Sequence, residues 1–387
     1  MKNKSRKYPS ISLFTGAFGL DLGLEKAGFD VMACVEKDST AVQTILQNKP
    51  ELKNHIIEED INYVSPKQIL KIAGFKRGEV ALVSGGPPCQ PFSTVGRRHS
   101  ISSTEGLLFK KFLDVVWGVY PKFFIFENVK GILSAAIQHR PISKRTSKVN
   151  LCKEEVLGSA WHFIKKEFDF KLRRGKTNGY EIYTWELNAA DYGVAQKRRR
   201  VFVIGVRGAR TVRKPRARFK NSHIPIKKVI AYLENTHEIK GVDYSPYDEA
   251  RYAIFSEGLI KAGQNWKDLP IHLQKKIMGK GWYATGGKVG FCRRLSWDKP
   301  SPTITTNPKG RATNICHPSK PRPLTYRECA LIQGFPETWK FSGSLSSKYR
   351  QIGNAVPIQL GATIGKALIR SLKNDNDPSD NIKGDSI

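Results

Sequence analysis

The sequence predicts an α/β protein: a parallel sheet covered on both faces by helices, with a small, irregular, mostly β domain placed late in the chain. Three observations predict it. Short apolar runs alternate with amphipathic stretches over the first two hundred residues. After Gly208 that pattern lapses into a Gly-, Pro- and Lys-rich stretch with scattered aromatics. Helical spacing then resumes near Leu324.

SISLFTG (10–16), VMACVE (31–36), HIIEEDI (55–61), VALVSGG (80–86) and FFIFENV (123–129) read as buried strands. Between them, 20–28, 38–49, 65–73 and 105–120 carry apolar residues at helical spacing. Strands alternating with helices at this pitch build a parallel sheet with both faces covered. A basic, less patterned insertion at about 133–150 precedes two further β-rich runs, YEIYTWEL (180–187) and RRVFVIGVRG (199–208). The next run, ARTVRKPRARFKNSHIPIKK (209–228), has little periodicity and many charges, and reads as a linker or exposed arm. Helical spacing returns in LTYRECALIQGF (324–335) and after Pro357, a residue suited to a first helical turn. The polar tail 374–387 reads as disordered. These shifts divide the chain into 1–212, an inserted domain at 213–320, a return to the first domain at 321–373, and the tail.

Composition narrows the function. Hydrophobic residues make up 40% of the 387, as in an ordinary soluble globular protein. No apolar run approaches the roughly 20 residues that span a bilayer, and the basic start MKNKSRKYPS leads into no signal segment, so a cytoplasmic protein is expected. The net charge is +31, and residues 195–320 hold 27 Lys+Arg against 8 Asp+Glu. A membrane surface, RNA or DNA could each meet such an excess; its size and clustering favour nucleic acid. Cysteines stand at 34, 89, 152, 292, 316 and 329, without a C-x-x-C pair or a His at zinc spacing, which argues against a disulfide framework or a metal site.

Two regions carry chemistry. In LFTGAFGLDLGLEKAGFDVMACVEKD a glycine turn joins a strand to a helix, and a second strand ends in Glu36. A carboxylate there can accept hydrogen bonds from ribose hydroxyls. Gly16, Gly19 and Gly23 do not form G-x-G-x-x-G, so a pyrophosphate cradle, and NAD with it, is disfavoured. On this segment alone a plain β-α turn with a surface glutamate stands equally. Asp60 closes EEDI and suits either an adenine amino group or a helix N-cap. The second region pairs Cys89, fenced by two prolines after strand 80–86, with Glu127 after strand 123–126. Both lie at carboxyl ends of strands in one parallel sheet, where α/β folds bind ligands, so thiol and acid face one cleft.

GGPPCQPFS (85–93) and FENVKG (126–131) resemble the Pro-Cys and Glu-Asn-Val motifs of the cytosine-5 DNA methyltransferases, of the prokaryotic restriction-modification type. LNAADYGVAQKRRRVFVIG (187–205) is similar to the family's Gln-x-Arg-x-Arg motif, at Gln196, Arg198 and Arg200. RPLTYRECALIQGFP (322–336), YRQIGNAVP (349–357) and the glycine turn at 13–28 match in family order, leaving uncovered only about 215–300.

The resemblance implies a Rossmann-like sheet that binds S-adenosylmethionine, and a reaction in which the Cys89 thiolate adds to carbon 6 of cytosine so that carbon 5 can take the methyl group. Glu127 would hydrogen-bond N3 and the exocyclic amine. Arg198 and Arg200 would orient the base through O2 and a flanking phosphate, Arg200 being the favoured O2 contact. Cofactor contacts would come from Phe14, Gly16, Ala17, Gly19, Glu36 and Asp60, with Ile61, Pro88, Leu108, Asn354 and Val356. Duplex DNA, its target base flipped out, would meet Gln90, Ser93, Gln196, Thr303 and Ile304. The last two stand in RRLSWDKPSPTITT (293–306), which resembles the stem of a target-recognition domain. STVGRRHSISSTEG (93–106) is expected to close over DNA as a mobile loop. A monomer is implied, and a cognate restriction endonuclease acting on the same site fits the type. Phe18 and Ala195 depart from the family pattern, standing where glycine and proline are usual. Two other functions compete: a tRNA cytosine-5 methyltransferase, whose Cys-Phe-Thr signature is not found here, and a catalytically silent DNA-binding relative, which would have no reason to keep Cys89, Glu127, Arg198 and Arg200 together.

Overall fold

The computed structural model describes residues 7–88, 104–137, 152–172, 179–208, 210–247, 249–283, 290–307 and 315–374. The first half runs β1 (Tyr8–Leu13), α1 (Gly19–Ala27), β2 (Phe29–Val35), α2 (Ser39–Asn48), β3 (Ile56–Ile57), α3 (Pro66–Ala73), β4 (Leu82–Gly85), α4 (Thr104–Val119) and β5 (Phe123–Val129). There follow α5 (Ser159–Leu172), β6 (Tyr180–Asn188) and β7 (Arg199–Arg207). Strand and helix placements match the apolar periodicity closely, and in α3 start and stop signals reinforce it. Ser65 accepts a hydrogen bond from the Gln68 N–H and Pro66 follows it, while Gly74, at φ 74°, closes the far end of α3.

The seven strands lie in the order β3-β2-β1-β4-β5-β7-β6. β1 to β5 are mutually parallel, as expected, whereas β7 runs antiparallel to both β5 and β6. The sheet is therefore mixed. The link from Asn188 to Arg199 is too short for the dozen or more residues that a parallel crossover needs. Strand order reverses between β1 and β4, which opens a crevice at their carboxyl ends.

Each face has its own core. On one, Phe109, Phe112, Phe124, Phe126 and Phe168 form an aromatic cluster under α4 and α5. α5 was not anticipated, although Ala160, Ile164, Phe168 and Leu172 recur every four residues and are its buried positions. On the other face Leu20 and Leu24 of α1 meet Leu360, Ile364 and Leu368 of α11 (Ile358–Asn374). Gly23 makes that approach possible, since a Cβ there would strike the Ile358 carbonyl.

The late segment differs from the expectation of a mostly β domain. Its described residues hold the short helices α6 (Lys227–Ile230), α7 (Glu249–Ser256) and α8 (Ile271–Met278), and only a two-residue pair of strands, β8 (Arg293–Arg294) and β9 (Ile315–Cys316). Tyr252 and Phe255, three residues apart, put both rings on one helical face, where they join Trp266, Met278, Cys292 and Cys316 in a small separate core. The chain then returns through α9 (Tyr326–Gln333), begun by a Thr325/Glu328 capping box, and α10 (Leu345–Asn354). Pro357 directly precedes α11, and its carbonyl accepts the first hydrogen bonds of that helix.

Candidate active site

A cavity of about 360 Å³ occupies the switch-point crevice. Its floor is the glycine turn. Gly16 sits at φ 56°, a conformation glycine adopts without strain, and its N–H donates to Oε2 of Glu36 at 2.7 Å. Oε1 of Glu36 accepts from the Asp38 N–H at 2.8 Å. Burial pushes the Glu36 carboxyl up from its ordinary range, and these two N–H groups pull it back. Phe14, Ala17 and Gly19 complete the turn against the cavity. Asp60 takes the N-cap role that was one of its two expected readings. It caps the 3-10 turn Ile61–Tyr63 through the Asn62 N–H and faces the same cavity, 3.3 Å from Lys37. Ile61, Pro88, Leu108, Asn354 and Val356 supply the remaining wall positions named from the sequence.

Among the wall residues that were not anticipated are Asp21 and Arg350. Asp21 is fully buried, accepts from the Ser12 hydroxyl at 2.8 Å and the Ser84 hydroxyl at 3.5 Å, and has its carboxyl raised to about 7 by that burial. Its sequence neighbours Leu20 and Leu22 are apolar, and nothing in a one-dimensional reading marks it. Arg350 lies at the rim, paired with Asp38 at 2.7 Å.

At the carboxyl edge of β5 stands Glu127. Nε of Arg200, on the adjoining β7, donates to its Oε1 at 2.9 Å, and both side chains are nearly buried. Burial drives the Glu127 carboxyl up, opposed by Arg200 and then Arg198. Gly86 leaves room for this carboxylate, since a Cβ there would come within 2.7 Å of Oε2. The neighbouring Asn128 donates to the Pro87 carbonyl at 3.4 Å. The chain leading to the thiol is thus tied beside the acid. Cys89 itself, Gln90, Ser93 and most of the loop 93–106 lie outside the described residues. The thiols of Cys34, Cys316 and Cys329 are buried and held above the usual cysteine range by that burial, which leaves them poor nucleophiles.

Two of the expected DNA contacts, Gln196 and Ile304, need correction. Gln196 is fully buried. Its Nε2 donates to Gln333 at 2.9 Å and its Oε1 accepts from the Ile304 N–H at 3.0 Å, so neither end is left for DNA. Ile304 is equally enclosed. Arg198 donates to the carbonyls of Ile304 at 2.9 Å and Gly353 at 2.6 Å from within the core, although its side chain also borders the cavity. These side chains lock β7, the segment 301–304 and α10 together, and only Arg200 of the two arginines pairs with Glu127. Burial decides the point: in sequence Gln196 and Arg198 are merely polar. Thr303 remains partly accessible, its hydroxyl donating to the Lys197 carbonyl at 2.9 Å.

Phe18, where a glycine is usual, also adopts a left-handed φ of 68°. Its ring turns away from the cavity into the core and stacks on Trp339, with centroids 6.3 Å apart. Ala195 is buried, and its carbonyl accepts from the Ser301 N–H.

The fold and this crevice place the chain in the α/β class whose ligands bind at a topological switch point. The chain belongs to the C-5 cytosine-specific DNA methylase family, whose description matches residues 8–370. It is 35% identical over 386 residues to the Type II methyltransferase M.Sau96I of Staphylococcus aureus, covering 96% of this chain and 78% of that protein. With the Type II methyltransferase M.PspPI of Psychrobacter sp. (strain TA137) it shares 37% over 375 residues, 95% and 80% of the two chains. A solved structure of a Spodoptera frugiperda DNMT2 mutant matches with a TM-score of 0.58 at 14% identity, over 94% of this chain and 100% of that one. That likeness is one of fold. DNA cytosine-5 methylation of the Type II restriction-modification kind is the activity these relatives establish for the chain, and family members use S-adenosylmethionine. No helix among the described residues is long and apolar enough to cross a membrane.

Proposed function

We propose that the chain methylates carbon 5 of a cytosine turned out of a specific duplex DNA sequence, through a transient bond between Cys89 and carbon 6. The observation that carries this reading is the Glu127–Arg200 pair at the cavity edge, with the Pro87–Pro88 segment tied beside it. The cavity's chemistry suits S-adenosylmethionine. Glu36, already oriented by two N–H groups, would take the ribose hydroxyls. Ile61 and Leu108 offer apolar surface to the adenine, and Asp60 a carboxylate to its amino group. When bound, the cofactor supplies an electrophilic methyl group.

The chain's own residues do the rest. The Cys89 thiolate forms a bond to carbon 6, and the ring electrons move to carbon 5, which takes the methyl. Glu127 hydrogen-bonds N3 and the exocyclic amine, where charge develops. Its raised pKa suits it to hold a proton for N3. Arg200 fixes Glu127 and reaches O2, and Arg198 acts as a positioning residue. Loss of the carbon-5 proton, to water, then expels the sulfur. The segment 213–320 would read the target sequence, with Thr303 near the DNA backbone, and 321–373 returns to complete the catalytic domain. The chain would act as a monomer alongside an endonuclease of the same specificity. Transfer of tritiated methyl groups to mixed-sequence duplex DNA, with tRNA as the parallel substrate, tests the reading. Labelling of tRNA alone, or of neither despite cofactor binding, would contradict it, and bisulfite sequencing of labelled DNA would give the site.

A further inference from the structure

The basic run after β7 is neither a linker nor a loose arm. Residues 211–220 lie on the sheet face that carries α1 and α11, and they are pinned along their length. The Ser371 hydroxyl donates to the Thr211 carbonyl at 2.8 Å, the Tyr192 hydroxyl to the Pro215 carbonyl at 3.2 Å, and the Phe219 N–H to the Asp191 carbonyl at 3.0 Å. Val212 and Ala217 pack into the core of that face, and the Phe219 ring covers Gly193.

From Lys214 to Lys220 exposure alternates, along non-helical chain to Ala217 and then into a turn at 218–221. Pro215, Ala217 and Phe219 are the more buried, and Lys214, Arg216, Arg218 and Lys220 are exposed. Alternate residues of an extended chain stand about 7 Å apart, so Lys214, Arg216 and Arg218 span about 14 Å at most. Over that length one strand of duplex DNA presents about four phosphates. None of the four pairs with a carboxylate among the described residues. The helix beside them adds Lys366, Arg370 and Lys373, all exposed on one side, and α11 contains no acidic residue. Asn188, Arg199 and Val129 share one sheet edge by register. Asp191, just beyond Asn188, holds the end of the strap at that edge. The row therefore starts at the cleft edge and descends the flank of the catalytic domain.

We propose that this strap is a second, sequence-independent binding surface for duplex DNA, outside the catalytic cleft, which holds the phosphates of DNA flanking the target. A core-anchored strap presents its charges without the ordering cost of a flexible arm. The inference rests on duplex DNA being the substrate.

The test measures binding of a labelled 40-base-pair mixed-sequence duplex against salt. Lys214→Gln/Arg216→Gln/Arg218→Gln is compared with Lys67→Gln/Lys71→Gln/Lys76→Gln, which removes the same charge from exposed positions in and after α3, on the opposite face. The strap variant should lose about 2.7 from the slope of log affinity on log salt and bind at least tenfold more weakly at 0.1 M salt. The control should stay within twofold of wild type. Equal effects of the two triples would overturn the proposal, as would strap-dependent binding of duplex RNA but not of DNA. A measurement on wild type alone guards against misfolding: the duplex should protect Lys214 and Lys220 from acetylation more than Lys67, and equal protection would overturn the idea too. Methyl transfer by wild type is scored separately. Its absence with strap-dependent binding intact would fell the proposed function and leave the strap standing.

Discussion

Nε of Arg200 lies 2.9 Å from Oε1 of Glu127, across neighbouring antiparallel strands and almost out of reach of water. A pair of this kind is costly to break from one side, because the remaining charge is left buried without a partner.

Arg200→Met should therefore lower stability by about 3 kcal/mol near neutral pH and abolish methyl transfer while cofactor still binds. The sign of its pH dependence follows from Glu127. Burial already raises that carboxyl above its unfolded value, and removing Arg200 raises it further. Stability from such a group is present below the unfolded pKa and lost as pH rises through the folded one. The deficit should widen as pH rises above the ordinary carboxylate range in denaturant titrations. A constant deficit would mean the pair is not what the mutation breaks.

Glu36→Ala removes a carboxylate that the Gly16 and Asp38 N–H groups hold in place. If that carboxylate takes the ribose hydroxyls, the Kd for S-adenosylmethionine should rise about 10- to 100-fold. Calorimetry with the isolated cofactor, without DNA, reads this directly. An unchanged Kd would move the ribose elsewhere.

Phe18→Gly restores the residue usual in the family at a backbone position that glycine prefers. Relief of the left-handed conformation is worth about 1 kcal/mol, whereas loss of a buried phenyl ring costs about 3–5 kcal/mol. Packing against Trp339 should win, with a net loss of about 3 kcal/mol on thermal or urea unfolding and little change in cofactor affinity. Equal or greater stability would show that the stack contributes little.

Asp21 should leave a pH signature of its own. Its carboxyl is raised to about 7 in the folded chain, so its contribution is present at low pH and lost as pH rises from about 4 through 7. Asp21→Asn keeps the size of the side chain and removes the titration. Relative to wild type, the variant should gain about 2.5 kcal/mol between pH 5 and pH 8. Parallel stability profiles would place the Asp21 pKa near its unfolded value.

Much of this architecture was legible in the linear chain, for reasons that particular elements make plain. Short apolar runs and helical patterns located β1 to β5 and the helices between them, since burial on both faces leaves near-continuous apolar strands such as FFIF. Direction was less legible: nothing local in RRVFVIGVR says that β7 runs against β5. The insertion misled because its aromatics are sparse, and sparse rings support short helices as readily as strands. At the site, the positions of Glu36, Asp60 and Glu127 on one cavity wall were readable from their places at strand ends. Gln196 and Arg198 were not, because whether a polar side chain faces DNA or a buried carbonyl depends on contacts more than a hundred residues away, with Ile304 and Gly353. Asp21 escaped notice for the converse reason, as one polar residue in the first turn of an otherwise unremarkable helix.

The central claim concerns a sulfur–carbon bond, and one measurement addresses it most directly. A mixed-sequence duplex is synthesised with 5-fluorocytosine in place of every cytosine, so that the carbon-5 position cannot lose a proton after methylation. Incubated with this duplex and S-adenosylmethionine, the protein should become covalently attached through Cys89, giving a denaturant-resistant species that Cys89→Ser does not form. Failure to trap wild-type protein that binds both cofactor and duplex, or attachment through a different residue, would contradict the account.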